Sequence, residues 1–392
     1  VGSGTHGMIG ASYIVPPMFV EAGYTFAMAE KFKRALTKPI MIAGRVNQPQ
    51  DAELAIANNQ TDMVGLVRAL IADPEFVSKT EAGALDDIRA CIACNQACIG
   101  HRHAGYGVSC IQYPETGREA EYGLKKRALS PRKVLVVGGG PGGMKAAAVA
   151  AERGHDVTLC EKAPMLGGQA VLAQNLPGRA EFGGIITNLK REMERHGVQL
   201  QLNTTVGDAF VKQFQPEAVV VATGAKPQQS DWDIDPGAQV VDAWDVISGE
   251  AQTGSSVVIY DWRCDWVGLG VAELLAQNGC SVKLCVNGEM AGQALQSFVR
   301  QHWAGRLHSL GVKVEPYLRL YGADQEAVYF QHVMTEEAVI FENVDTLVTA
   351  GSRVQVGCQF EGVQDVFHVG DCVSPRTAEE AVLEGLRAGC EV

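Results

Sequence analysis

The sequence predicts an α/β chain in three successive parts: the C-terminal part of a TIM barrel, a loop-rich cysteine segment, and nested Rossmann-like nucleotide-binding domains. Three observations carry this. Short apolar runs alternate with helical stretches over residues 1–86, as in a parallel sheet. Cys91, Cys94, Cys98 and Cys110 then fall in a stretch with little periodicity, spaced C-x2-C-x3-C-x11-C. From Lys133 a strand, a glycine turn and an Ala-rich helix follow in order, and the same strand–turn–helix plan returns from Ser256.

In the first part, Pro39–Arg45 reads as a buried strand, Gln50–Asn59 as a helix and Asp62–Leu66 as the next strand. A complete (β/α)8 barrel needs roughly 250 residues. Only three strands precede the cysteines, so the chain is expected to be the C-terminal piece of a longer protein. Residues 87–127 form the cysteine segment. Residues 128–240 open the first nucleotide unit, with strands Lys133–Val137, Asp156–Cys160 and Ala218–Val221. Residues 241–350 form the second, with strands Ser256–Tyr260 and Ser281–Val286 around the helix Val267–Asn278. Residues 351–392 return to the first unit through Val366–Asp371 and a helix from Thr377.

Composition narrows the class. The chain has 392 residues, 46% of them apolar, and a net charge of −12. That charge argues against nucleic acid or an anionic membrane as partner. No apolar run approaches the roughly 20 residues of a membrane span. The eleven cysteines are an odd count, four of them tightly clustered, which fits a reducing cytoplasm and metal-binding thiolates better than a disulfide framework. The other seven, from Cys160 to Cys390, read as small buried hydrophobes.

Gly138, Gly140 and Gly143 satisfy G-x-G-x-x-G, and Gly142 lies within the same turn. The first glycine allows the turn, the second lets pyrophosphate reach the backbone, and the third packs helix on strand. Glu161, at the end of the second strand, stands where a carboxylate grips a ribose hydroxyl. Gly370-Asp371 after a strand has two readings: an acid on the ribityl chain of FAD, or a helix N-cap.

Four thiolates could hold zinc or a [4Fe–4S] cluster. Structural zinc usually shows paired C-x2-C knuckles. One C-x2-C, one x3 step and a remote fourth cysteine are nearer to iron–sulfur usage. His101 and His103 lie between the ligands and are expected to be ordinary loop histidines.

With these residues stated, the chain resembles the two-domain branch of the Old Yellow Enzyme (NADH:flavin oxidoreductase) family, the 2,4-dienoyl-CoA reductase and trimethylamine dehydrogenase type. The resemblance rests on Cys91-Ile-Ala-Cys94-Asn-Gln-Ala-Cys98 with Cys110, Gly167-Gly168-Gln169, Pro177-Gly178-Arg179, and Ala378-Glu-Glu-Ala-Val-Leu-Glu-Gly385. It implies FMN, a [4Fe–4S] cluster, and FAD or a bare ADP. For FMN it implies Gly44, Arg45, Val67 and Arg68 around the phosphate. The bland alternative for both arginines is surface salt bridging. For FAD it implies Gly168, Gln169, Arg179, Thr223, Gly224, Gly370 and Asp371 beside the glycine turn and Glu161. Gly4-Thr5-His6-Gly7 resembles the segment carrying an active-site histidine, but Gly7 replaces an acid, so His6 stands between proton donor and substrate contact.

The second unit departs from a working nicotinamide site. Asp261-Trp262-Arg263-Cys264-Asp265-Trp266 replaces its glycines. Bulky side chains would block pyrophosphate and two aspartates would repel it. The stretch looks most like the N-methyl amino acid demethylases, such as those for dimethylglycine and N-methylproline. The resemblance therefore implies oxidation of a small methylated amine, with electrons leaving FMN through the cluster to FAD and on to an acceptor protein or NAD(P). A trimethylammonium cage needs aromatic faces. Residues 1–86 contain no tryptophan, and Tyr13, Tyr24, Phe19 and Phe26 read as packing residues. Two other readings stay open: an NAD(P)H-dependent dienoyl-CoA or enoate reductase, and a non-catalytic electron-transfer or zinc-binding module. A homo-oligomer is allowed by all three.

Overall fold

The computed structural model describes residues 12–229, 231–360 and 362–392; the expectation for His6 falls outside the described residues. Strands Lys133–Val137, Asp156–Cys160, Gln199–Gln201, Ala218–Val221 and Asp365–His368 form a parallel five-stranded sheet. The glycine-turn strand is central in it. Its residues are continuously apolar instead of alternating because both faces are covered. Val134 and Val136 pack with the helix Pro141–Glu152 and with Val382 of the C-terminal helix Ala378–Glu391. Leu135 and Val137 pack on the opposite side with Val211 and Phe360.

The chain leaves this sheet after Val221 and returns to it at Asp365. In between it builds a second parallel sheet, ordered Lys313–Glu315, Ser281–Val286, Ser256–Asp261, Thr346–Ala350 and Val240–Asp242. An antiparallel ribbon, Ala225–Pro227 with Arg353–Gln355, carries the chain out and back. The predicted strands at 133–137, 156–160, 218–221 and 281–286 have those bounds.

A four-stranded layer made of Leu318–Ala323, Ala327–His332, Ala338–Glu342 and Asp233–Ile234 was not expected. Its signal is the alternation of buried Leu318 and Leu320 with exposed Arg319 and Tyr321. The buried face covers Tyr260 and Cys285 of the second sheet.

Residues 12–90 are mixed helix and strand. The strand expected over Pro39–Arg45 shrinks to Met41–Ile42, paired in parallel with Met63–Val64. It ends where Gly44 and Arg45 take positive φ, 157° and 51°, which no ladder accommodates. Helix Pro49–Ala57 follows as expected, with proline in its first turn. Among the described residues, no helix is long and apolar enough to cross a membrane.

Candidate functional site

The glycine turn sits at the C-terminal edge of the central strand. Gly138 has φ 107°, and a Cβ there would stand 2.4 Å from the Ala222 carbonyl. A Cβ on Gly143 would meet the Gly138 carbonyl at 2.0 Å, so this glycine sets how closely the helix approaches the strand. A Cβ on Gly142 would lie 2.9 Å from the carbonyl of Ala381, in the C-terminal helix. Gly140 differs: nothing lies within 4 Å of its would-be Cβ. A side chain there would project into the cleft that the turn lines.

That cleft has a volume of about 390 Å³, inside the range of roughly 300–1,000 Å³ common for small-molecule sites. It gathers Gly138, Gly140, Gly142, Glu161, Gly168, Gln169, Arg179, Thr223, Gly224, Gly370 and Asp371 on one surface. Glu161 is buried. Its Oε2 accepts from the Gly139 amide at 2.6 Å and its Oε1 from the Ala163 amide at 2.8 Å. A carboxylate has about four acceptor sites, so capacity remains for a ligand hydroxyl. Thr223 donates its hydroxyl to the Val356 carbonyl and is held by it at the cleft wall.

Asp371 does not cap a helix. Its Oδ2 accepts from Gln169 Nε2 at 2.8 Å and from Arg353 Nη1 at 3.0 Å, and its Oδ1 from the Arg376 amide at 2.9 Å. The cap of the C-terminal helix is Thr377, in a reciprocal box with Glu380. Arg353 also donates to Gln169 Oε1 and to the Arg376 carbonyl. Sequence reasoning missed this arginine, because nothing in the run Gly351-Ser-Arg-Val marks it.

The four clustered cysteines are free thiols around one small cavity, walled also by Arg68, Ile92, Asn95 and Ile111. Burial raises the thiol pKa of Cys94 and Cys98 and pushes Cys110 up to about 12, with neighbouring cysteines adding to each shift. These three thiols cannot all ionise together without a compensating cation. Among the described residues, no three His, Cys, Asp or Glu side chains stand at the spacing of a single metal ion. His101 does not join the cysteines. It pairs with Glu379, and its Nδ1 lies 2.9 Å from the Gly107 carbonyl. His103 packs edge-on against Phe298.

The cysteine loop is stitched to both neighbours. Gln96, between Cys94 and Cys98 in a single π-helical turn, lines the glycine-turn cleft. On the other side, Asn47 Nδ2 donates to the Cys91 carbonyl at 2.8 Å, and Arg68 Nη1 donates to Asn95 Oδ1 at 2.8 Å and to the Pro16 carbonyl. Val67 beside Arg68 is exposed. Arg45 is buried. Its Nη2 pairs with Glu181 and its Nη1 donates to the Met18 carbonyl, which leaves Nε without a partner. Gly44 packs under Thr25, whose Oγ1 would lie 2.5 Å from an added Cβ. Of the seven remaining cysteines, Cys160, Cys264, Cys285 and Cys372 are buried and Cys280, Cys358 and Cys390 are half-buried.

The second turn is filled by its own acids. Asp261 is wholly buried. Its Oδ1 accepts from the Cys264 amide at 2.9 Å, its Oδ2 has no partner, and the carboxylate fills the space where a Cβ on Gly268 would stand. Burial, reinforced by Asp265, drives its pKa well above the carboxylate range.

The chain is similar to several known oxidoreductases. The chain is 31% identical to the N,N-dimethylglycine/sarcosine dehydrogenase of Chromohalobacter salexigens, over 99% of this chain and 62% of that one. It is 31% identical to the probable N-methylproline demethylase of Rhizobium meliloti, over 92% and 58%. A solved 2-naphthoyl-CoA reductase superposes with a TM-score of 0.89 at 28% identity, covering 96% of this chain and 57% of that one. The chain thus spans about three fifths of the length of these curated relatives. Residues 14–87 match the NADH:flavin oxidoreductase / NADH oxidase family. Residues 132–385 match the pyridine nucleotide-disulphide oxidoreductase model, and the chain therefore belongs to that oxidoreductase family, preceded by a segment of the flavin oxidoreductase family.

Proposed function

We propose that this chain is the electron-exit portion of an iron–sulfur flavoenzyme that oxidises a small N-methylated amine. The observation that carries the reading is Gln96, which belongs to the cysteine loop and yet lines the glycine-turn cleft. A redox centre on that loop adjoins a nucleotide in that cleft. Cys91, Cys94, Cys98 and Cys110 are the proposed cluster ligands. Their shared cavity and their spacing, one C-x2-C, one x3 step and a remote fourth cysteine, support a [4Fe–4S] cluster over structural zinc with its paired C-x2-C knuckles.

FAD, or its ADP part, is assigned to the cleft. The bare Gly140 faces its pyrophosphate, Glu161 accepts from the ribose, and the Gln169–Asp371–Arg353 group meets the ribityl side. FMN is assigned to the side of residues 12–86, read as part of a (β/α)8 barrel. Gly44, Arg45, Val67 and Arg68 are its proposed phosphate neighbours, with Arg68 more open than the Glu181-paired Arg45. Bound in these places, the flavins and the cluster supply the hydride acceptance and single-electron steps that side chains cannot. The residues of the chain orient them: Asn47 and Arg68 tie the FMN side to the cysteine loop, and Gln96 ties that loop to the cleft. The amine would become an iminium, which water hydrolyses to formaldehyde and the demethylated amine.

The acids of the second turn support a direction outward to an acceptor instead of inward from NAD(P)H, because Asp261 fills the turn from within and Asp265 takes the helix N-terminus. The similarity to a 2-naphthoyl-CoA reductase supports the opposite direction, and one experiment separates the two. Anaerobic mixing of the complete enzyme, loaded with flavins and cluster, with NADPH or with dimethylglycine is followed by stopped-flow absorbance. Reduction by the amine and not by NADPH supports the demethylase reading; rapid reduction by NADPH sinks it. Iron and acid-labile sulfide are measured alongside, and zinc without sulfide would overturn the cluster.

A further inference from the structure

Arg179 is a buried cation that forms no ion pair among the described residues. Only 6% of its surface is exposed, and its Nε has no hydrogen-bond partner. Among the described residues, no carboxylate pairs with its guanidinium at salt-bridge distance. Aromatic faces hold it instead: Phe182, Trp266 and Trp303 lie with ring centroids 5.0, 5.3 and 5.4 Å from its guanidinium carbon. Burial pulls its pKa down to about 10, opposed by Cys94 and Asp265, so it stays charged at neutral pH.

An unpaired buried charge is costly unless something absent from the apoprotein repays it. Arg179 lines the cleft, so that something is a ligand of the cleft. Glu161 accepts from the Gly139 amide beside the bare Gly140, whereas Arg179 lies within electrostatic reach of Cys94, in the loop that also sends Gln96 to the cleft. A dinucleotide whose ribose meets Glu161 and whose pyrophosphate meets Gly140 places its second half toward Gln96 and Arg179. A bare ADP would leave Arg179 unmatched.

We propose that Arg179 is an electrostatic positioning residue that stabilises added negative charge on the flavin ring at the cysteine end of the cleft, and thereby draws electrons from the cluster to the ring. The inference rests on the FAD and cluster assignments above. With a cluster held by the four cysteines and a flavin held in the cleft, an electron passing between them would leave the cluster oxidised and the ring reduced, and Arg179 would face the added charge. No covalent bond forms or breaks. No proton has to accompany the electron, because the guanidinium already carries the balancing charge. The aromatic cage keeps water from screening that charge, and among the described residues no carboxylate stands at ion-pair distance to neutralise it.

The test uses the purified protein with FAD and cluster bound, together with R179M and R179K. Methionine keeps an apolar filling among the aromatics, and lysine keeps the charge. Spectroelectrochemical titration gives the midpoint potentials of FAD and cluster, and FAD content is measured by release and absorbance. R179M is expected to retain FAD and to disfavour ring reduction about tenfold, a shift of about 59 mV to lower potential for one electron. R179K is expected to recover at least half of that shift. A FAD potential unchanged in R179M overturns the proposal, as does a shift confined to the cluster. Equal weakening of FAD and ADP binding without a change of potential also overturns it, because Arg179 would then be a phosphate ligand. A parent protein that holds cluster but takes up only ADP overturns the proposal together with the FAD assignment.

Discussion

Asp265 accepts a hydrogen bond from the Val267 amide at 2.9 Å, at the N-terminus of the helix Trp266–Gln277. In a dinucleotide site this is where phosphate would sit, drawn by the free amides and the helix dipole. Here a carboxylate of the chain already takes the place, and Arg263 Nε donates to its other oxygen at 2.8 Å. The second unit keeps the strand, turn and helix of a nucleotide site while its anion position is satisfied from within.

This gives a gain-of-binding prediction. Asp265→Ser keeps a side chain able to cap the helix and removes the charge. NAD(P)H, titrated by fluorescence, should bind the variant about tenfold more tightly than the parent, roughly 1.4 kcal/mol. Unaltered affinity would mean that Asp265 is not what bars the nucleotide.

Gly140 offers a test of the first cleft that stability does not confuse. Its φ of −74° suits any residue, and no atom lies within 4 Å of an added Cβ. Gly140→Val exchanges a glycine N-cap for a poorer one and should therefore cost the apoprotein only about 1 kcal/mol. FAD affinity should fall at least about tenfold, measured by fluorescence quenching. Equal affinity in parent and variant would move the pyrophosphate elsewhere.

Cys94→Ala should lower iron and acid-labile sulfide together, because a cluster with three thiolates left is weakly held. FAD should remain bound, since Cys94 does not line the cleft. In the complete enzyme the substrate-side flavin should still be reduced while transfer to the acceptor stops. Undiminished turnover with that acceptor would count against a cluster in the path.

Asp242 gives a pH dependence. Burial raises its pKa to about 6, with the Trp244 amide opposing and Asp245 adding to the rise. A carboxyl group with a raised folded-state pKa binds its proton more tightly when folded. Its stabilising contribution is complete below the unfolded value near 4 and is lost as pH rises through about 6. Asp242→Asn can still cap the helix Ala243–Ser248 and cannot ionise. The variant should gain about 1–2 kcal/mol over the parent above pH 6, after allowance for solvent screening, and nothing below pH 4. Urea unfolding at pH 4 and pH 7 measures both limits, and a gain equal at the two pH values would refute the assignment.

Local sequence determined the central strands, the glycine turn and the cysteine loop, because each is written in neighbouring residues. A valine run buried on both faces, glycines where no Cβ fits, and thiols a few residues apart need no distant partner to be recognised. The antiparallel strands over residues 318–342 were legible only as a period-2 alternation, since their turns lack the usual Asn-Gly or Asp-Gly signals. What tertiary structure alone decided is which charges meet. Arg45 spans 136 residues to pair with Glu181, Arg353 spans 184 to reach Gln169, and Arg179 finds three aromatic faces and, among the described residues, no carboxylate at ion-pair distance. Side chains of the same type are alike in sequence. They differ only in the dielectric and the partners that folding brings to them, and here that difference separates a structural ion pair from a cation left waiting for a ligand.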